Sequence, residues 1–213
     1  MKIHVNVEQL TQLAPRMRPL YRDTFASGQP VLDLYGISDS ARRVAHFIGQ
    51  VLHESQALTV ESENLHYSRE RLVAVWPSRF LPLGPLEPAL YARNPRKLAN
   101  LVYGGRMGNV GRDDGFLYRG RGMLQLTGRD GYARVTRIVR RRAPRAPDFV
   151  ADPDAVLNPA WCLHAAAATW DDKDCNALAD LDDVAQLTRR INGGAHGLAQ
   201  RAEWFRCAGE IWC

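Results

Sequence analysis

No stretch of the 213 residues approaches the roughly 18 consecutive apolar residues that a membrane-spanning helix needs. Membrane insertion is therefore not expected. Internal repeats and low-complexity linkers are also absent, which argues against a solenoid or a tethered array. The stretch Met1 to Leu20 has no long apolar core and no small-residue cleavage site, so it does not read as a secretory leader. The expectation is a protein made in the cytoplasm that something else must deliver if its substrate lies outside. Cysteine is scarce and confined to the last quarter of the chain, at Cys162, Cys175, Cys207 and Cys213. There is no C-x-x-C pair and no histidine at zinc-finger spacing, so no structural metal site is expected. Without a leader, the four thiols are expected to stay free.

What is present is ordinary for one globular domain. Hydrophobic residues make up 46% and charged residues 24%. The length suits a single domain over residues 1–213 with a sizeable core. The balance is basic, 28 Lys+Arg against 23 Asp+Glu, a formal charge of +5. Such a surface favours anionic partners. No nucleic-acid motif accompanies it, and no nucleic-acid partner is expected. The densest cluster is Arg137, Arg140, Arg141, Arg142 and Arg145. It lacks interleaved aromatics and reads as a solvated helix end.

The pattern is mostly helical. A first helix is expected over 6–25, interrupted near Pro15 and Pro19. Ser38-Asp39-Ser40 offers cap residues, and Val44, Phe47, Ile48, Val51 and Leu52 then recur at helical spacing up to about Glu54. Residues 55–67 look irregular or extended. Helices are expected at 68–76, 97–103, 128–142, 159–172, 181–191 and 197–211, with exposed loop over 104–118.

His53-Glu54-Ser55 closes the clearest amphipathic helix. Glu54 follows Val51 by three residues and Phe47 by seven, so its side chain leans towards the buried face. Burial and the negative end of the helix macrodipole both disfavour the carboxylate, and a Glu kept protonated near neutral pH suits a general acid. A half-exposed surface Glu is the plainer alternative. His53-Glu54 begins a zinc-protease motif, but Ala57 stands where the second His belongs. Nine residues on lies Glu63. Two carboxylates across a cleft are the minimum machinery of glycoside hydrolysis, and sequence spacing alone leaves inversion and retention both open.

The motifs Phe47 to Ser55 (FIGQVLHES) and Glu63-Asn64-Leu65-His66-Tyr67-Ser68 resemble glycoside hydrolase family 19. That group holds chitinases and many phage endolysins. The resemblance continues through Val102-Tyr103-Gly104-Gly105-Arg106-Met107-Gly108-Asn109 and is strongest over Tyr118 to Gly128 (YRGRGMLQLTG). It ends with Ile191-Asn192-Gly193-Gly194, Gly197-Leu198 and Arg201. It spans about residues 40–205, in the family's order.

The resemblance implies a mainly α, lysozyme-like (α+β) fold: a helical domain with a small β element near 58–67 and a deep catalytic cleft. It implies Glu54 as general acid and Glu63 as base in a single inverting displacement. Thr127 would help hold the attacking water. Gln125 and Asn192 match sugar-binding positions, Tyr118, Arg119 and Arg121 belong to a cleft-lining block, and Arg201 matches a basic residue that pairs with the carboxylates. Plainer alternatives stay open: Gln125 and Thr127 as turn caps, Arg121 as a structural ion pair, Asn192 as a helix cap, Tyr103 and Tyr118 as core or rim aromatics. The sequence departs from the family at Ser55-Gln56-Ala57, where Ser-Gly-Gly is frequent. It also departs at His66, where Asn is frequent, and at Gly131, where a sugar-binding Asn is common.

No metal or organic cofactor is implied. The expected substrate is the glycan backbone of peptidoglycan, cut by a lysozyme-type endolysin. Such an enzyme would act at the cell wall after release through holin-type membrane holes. Chitin is the second substrate reading, and an inactive glycan-binding adaptor is the third. A monomer is expected, because a long polymer needs an open groove.

Overall fold

The computed structural model describes residues 1–213. Twelve α-helices follow in chain order: α1 Val7–Leu13, α2 Pro19–Ala26, α3 Gln29–Leu34, α4 Ala41–Glu54, α5 Arg69–Val75, α6 Pro95–Tyr103, α7 Asp114–Leu117, α8 Arg129–Arg142, α9 Pro159–Asp172, α10 Cys175–Asp180, α11 Val184–Asn192 and α12 Leu198–Trp212. No sheet forms. The β element expected near 58–67 is reduced to an isolated bridge between Ser62 and Arg121, next to a second between Arg121 and Leu126. The chain turns back over Gly122 to Gln125, and each bridge stays single.

The long helix α4 organises the molecule. The Ser40 hydroxyl accepts from the Arg43 amide and starts it. Its apolar stripe was legible, but burial runs unbroken from Val44 to Leu52, taking in His46, Gly49 and Gln50 as well. The reason is α12, which packs on the face the stripe leaves uncovered. A Cβ at Gly49 would sit 3.0 Å from the Phe205 amide nitrogen and 3.1 Å from its Cα. Glycine thus allows the two backbones to approach closely. The His46 ring stacks on Phe205 with centroids 3.9 Å apart. On the other side Phe47 meets the edge of Trp170 from α9 at 5.3 Å.

A smaller core of Leu65, Leu72, Phe80, Leu98, Ala99 and Val102 lies apart from the main one. It supports the segment from Leu65 to Tyr103. The helix expected over 181–191 starts later, at Val184, because the Asp183 carboxylate caps α11, and α10 before it lies outside every expected helix. Helix α3 was not anticipated, and α7 forms inside the expected loop. Cys162 and Cys175 are buried free thiols, and Cys207 and Cys213 are free and more accessible. No helix is long and apolar enough to cross a membrane.

Candidate active site

Glu54 is the last residue of α4, and the chain turns sharply after it. The Ser55 hydroxyl donates to the Val51 carbonyl and accepts from the Leu58 amide. Gln56, Ala57 and Leu58 all have left-handed backbones, with φ of 50°, 56° and 59°. L-residues pay a steric penalty there, which is why glycine is favoured at such positions. Leu58 is fully buried and pins the turn. The turn leaves the Glu54 side chain only 18% exposed, at the wall of a cleft.

Arg201 of α12 holds that carboxyl. Its Nη2 donates to Glu54 Oε1 at 2.5 Å, its Nη1 to Gln50 Oε1 at 2.5 Å, and its Nε to the His196 carbonyl at 3.3 Å. Gln50 and Glu54 are one turn apart on α4 and share a face. Burial and the helix end were the influences read from sequence, and the structure adds a buried cation on the same carboxyl. Next to it, the His53 imidazole is held below its ordinary value, first by burial and then by Arg201. Gly197 makes room for that ring: a Cβ there would lie 2.4 Å from His53 Cε1.

Glu63 reaches the same cleft from the segment paired with the Tyr118–Gly128 block. Its amide donates to the Gly120 carbonyl at 2.9 Å, and the Gly122 amide donates to the Glu61 carbonyl at 2.7 Å. The Tyr103 hydroxyl, at the end of α6, donates to Glu63 Oε1 at 2.6 Å. Burial, and then the Glu63 charge, pushes the Tyr103 hydroxyl well above the usual phenol range, so it stays a donor. Glu63 Oε2 is buried and accepts from no protein group.

Gln125 and Thr127 line the cleft beside Glu63. The Thr127 hydroxyl donates to the Gln125 carbonyl at 2.8 Å, and Gln125 Nε2 donates to the Gly122 carbonyl at 2.9 Å. Gly120 lets these groups converge. A Cβ on it would lie 2.9 Å from Gln125 Oε1, 3.4 Å from Thr127 Oγ1 and 3.5 Å from Glu63 Cβ. Asn192 ends α11 and also lines the cleft, with its amide donating to the His196 carbonyl at 3.3 Å. The whole cleft encloses about 580 Å³.

Two residues of the block lie elsewhere. Tyr118 is buried, donates its hydroxyl to the Val150 carbonyl at 3.1 Å and packs on Tyr132. Arg121, 3% exposed, turns inward: Nε donates to Asp154 Oδ1 at 2.7 Å, and Nη1 to the Leu117 carbonyl at 2.6 Å and the Tyr132 hydroxyl at 3.0 Å. Both brace the cleft wall from behind instead of lining it. Arg119 places its guanidinium over the Phe116 ring at 4.2 Å. The far wall holds residues that the sequence did not single out: Arg134, Asp172 and Lys173. Arg134 pairs with Asp172 at 3.1 Å, and Lys173 donates to the Arg190 carbonyl. No group of three His, Cys, Asp or Glu side chains is placed to hold a metal ion.

A helical domain with two carboxylates on one open, polar cleft has the layout of a glycoside hydrolase. No protein-family model matches the chain. It is 36% identical over 164 residues to a glycosyl hydrolase family 19 domain-containing protein of Haemophilus influenzae, an alignment that covers 76% of each chain. Its fold is similar to that of chitinase C from Streptomyces griseus HUT6037, with TM-score 0.63, 17% identity, and 98% of this chain and 92% of that one covered. It is similar also to a bacterial family 19 chitinase, with TM-score 0.60 and 18% identity over 98% and 94% of the two chains. The chain belongs to glycosyl hydrolase family 19 and is a glycoside hydrolase.

Proposed function

We propose that this hydrolase cuts the glycan backbone of peptidoglycan as a monomeric, lysozyme-type endolysin, by an inverting acid–base mechanism. The observation that carries the chemistry is the pair Glu54 and Glu63 on one cleft. Glu54, once it has taken up a proton from solvent, gives it to the glycosidic oxygen as the bond from that oxygen to the anomeric carbon breaks. Arg201 meets the negative charge that Glu54 acquires. Water attacks the opposite face of the anomeric carbon, and the Glu63 carboxylate takes its proton. Tyr103 holds that carboxylate in place by donating to its Oε1. The Thr127 hydroxyl helps hold the water, and Gln125 and Asn192 bind sugar groups. The sum is one water added across one bond, and solvent returns the proton from Glu63 to Glu54.

Charge supports peptidoglycan over chitin. The chain carries +5, and Arg134 and Lys173 stand on the wall of a cleft whose carboxylates are the two catalytic ones and Asp172. Peptidoglycan bears carboxylates on its peptides, and chitin is uncharged. Chitin is the second reading, favoured by the chitinases that share the fold.

Clearing of purified peptidoglycan, with mass spectrometry of the released fragments, tests the proposal. Fragments should carry one new reducing end per cut. Glu54→Gln and Glu63→Gln should each lower kcat by about 10²-fold or more, since general acid or base catalysis contributes about that much. Faster cleavage of colloidal chitin than of peptidoglycan would overturn the substrate. Binding without cleavage of either polymer would point to a glycan-binding adaptor.

A further inference from the structure

Helix α8 has the catalytic cleft on one flank and a second groove on the other. Gly131, Arg134 and Val135 line the cleft. Arg129, Arg137, Arg140 and Arg141 line the second groove, which encloses about 590 Å³. Arg137 and Arg141 lie three and seven residues beyond Arg134, so the three guanidinium groups form one stripe along the helix. The stripe leads from the cleft rim into the groove.

The groove's four arginines make no ion pair, unlike Arg134 with Asp172 and Arg142 with Asp171. Two carboxylates line the groove with them, Asp130 and Asp148. Asp148 accepts from the Val150 amide, and Asp130 packs against Gly108. Arg140 donates to the Ala146 carbonyl. Four cations against two carboxylates leave an excess of two positive charges. The helix macrodipole accounts for arginines at the C-terminal end of α8. It does not account for Arg137 in mid-helix, and it disfavours Arg129 at the first position.

We infer that the groove binds the carboxylates of an acidic peptide carried as a side branch on the polysaccharide in the cleft. This rests on the peptidoglycan reading and deepens it. Reach permits it: Arg134 to Arg141 spans about 10 Å along a helix, which about three extended peptide residues cover. The enzyme then reads peptide-bearing strands as its substrate and binds bare strands more weakly.

Two substrates test this with the full chain: purified peptidoglycan, and the same glycan stripped of its peptides by an amidase. The native enzyme should show a kcat/KM about tenfold higher on peptide-bearing strands at low salt. That preference should shrink at about 0.5 M salt, where charges are screened. The double variant Arg137→Gln/Arg141→Gln, changed only at exposed positions outside the cleft, should lose the preference through KM and keep its rate on stripped glycan. Equal loss on both substrates, or no preference in the native enzyme, would overturn the inference. NMR titration with the free acidic peptide isolates the groove from catalysis: the native protein should show shifts at Arg137 and Arg141 and also at Arg129 and Arg140, and the variant none at Arg129 and Arg140. Absence of such shifts sinks the groove, whereas failure to cut any peptidoglycan sinks the functional reading. Loss of binding to anionic phospholipid vesicles in the variant, with the peptide preference unchanged, would assign the groove to a membrane surface and overturn the inference.

Discussion

Replacing Arg201 with Met removes a buried cation while keeping much of its aliphatic volume. The guanidinium, 2% exposed, bonds Gln50, Glu54 and the His196 carbonyl. Its loss leaves the buried Gln50 amide oxygen without its donor, worth about 1–3 kcal/mol. It also strips the cation from Glu54. Breaking a buried pair costs about 3–5 kcal/mol, and the 18% exposure of Glu54 onto the cleft puts this case at or below the low end. The expected total for Arg201→Met is about 4 kcal/mol. Glu54→Gln leaves the buried Arg201 guanidinium without its counter-charge, though still bonded to Gln50 and the His196 carbonyl, and should cost about 3 kcal/mol. With both changes made, no charge is left unpaired. The double variant should lose only about 3–4 kcal/mol, less than the sum of the single losses by about 3 kcal/mol. Urea unfolding at neutral pH measures all four corners, with the slope m checked for constancy. Additivity within about 0.5 kcal/mol would refute the reasoning, because the ion pair would then carry no energy of its own.

Two further outcomes concern the same helix. Gln56 is exposed with φ of 50°, so Gln56→Gly should raise stability by about 0.5–1 kcal/mol, relief of the left-handed penalty outweighing the added unfolded-state entropy; a lower thermal midpoint would contradict this. His46 is pushed below its ordinary value by burial, which outweighs the nearby Asp182, so the contact with Asp182 at 2.8 Å is a hydrogen bond from a neutral ring and not an ion pair. His164, through burial, and His53 shift the same way. A histidine with a depressed folded value leaves stability intact above the unfolded value of about 6.5 and erodes it as pH falls towards the folded one. Chemical denaturation should therefore show a plateau above about pH 7 and a decline below about 6.5, and His46→Phe should flatten part of that decline.

The elements that sequence revealed best are those whose local chemistry agrees with their packing. Ser40 as cap and the stripe from Val44 to Leu52 place α4 and end it at Glu54. Helices α8 and α9 match the expected ranges to within a residue. The start of α11 was placed three residues early because Leu181-Asp182-Asp183 offers more than one cap, and only the bond from the Gln186 amide to Asp183 decides it. The β element shrank for a local reason: the chain turns back over Gly122 to Gln125 at once after Arg121, so the bridges to Ser62 and Leu126 stay single.

At the site, a motif names positions but not the side of the wall each side chain takes. In the run from Tyr118 to Thr127, Gln125 and Thr127 face the cleft, and Gly120 must be small to let them meet Glu63. Tyr118 and Arg121 turn inward, and Arg121 satisfies its guanidinium on Asp154, Leu117 and Tyr132. Sequence offers one usable signal for the missed Gln50: it is a polar residue in an apolar stripe, one turn before Glu54. A buried amide needs a partner. The side chain that provides it, Arg201, also reaches the proposed acid, so a polar defect in the stripe of α4 is the price of anchoring the carboxyl at its end. The cleft is therefore built from α4 outward, and the groove beyond α8 is the part of it that the catalytic motifs do not explain.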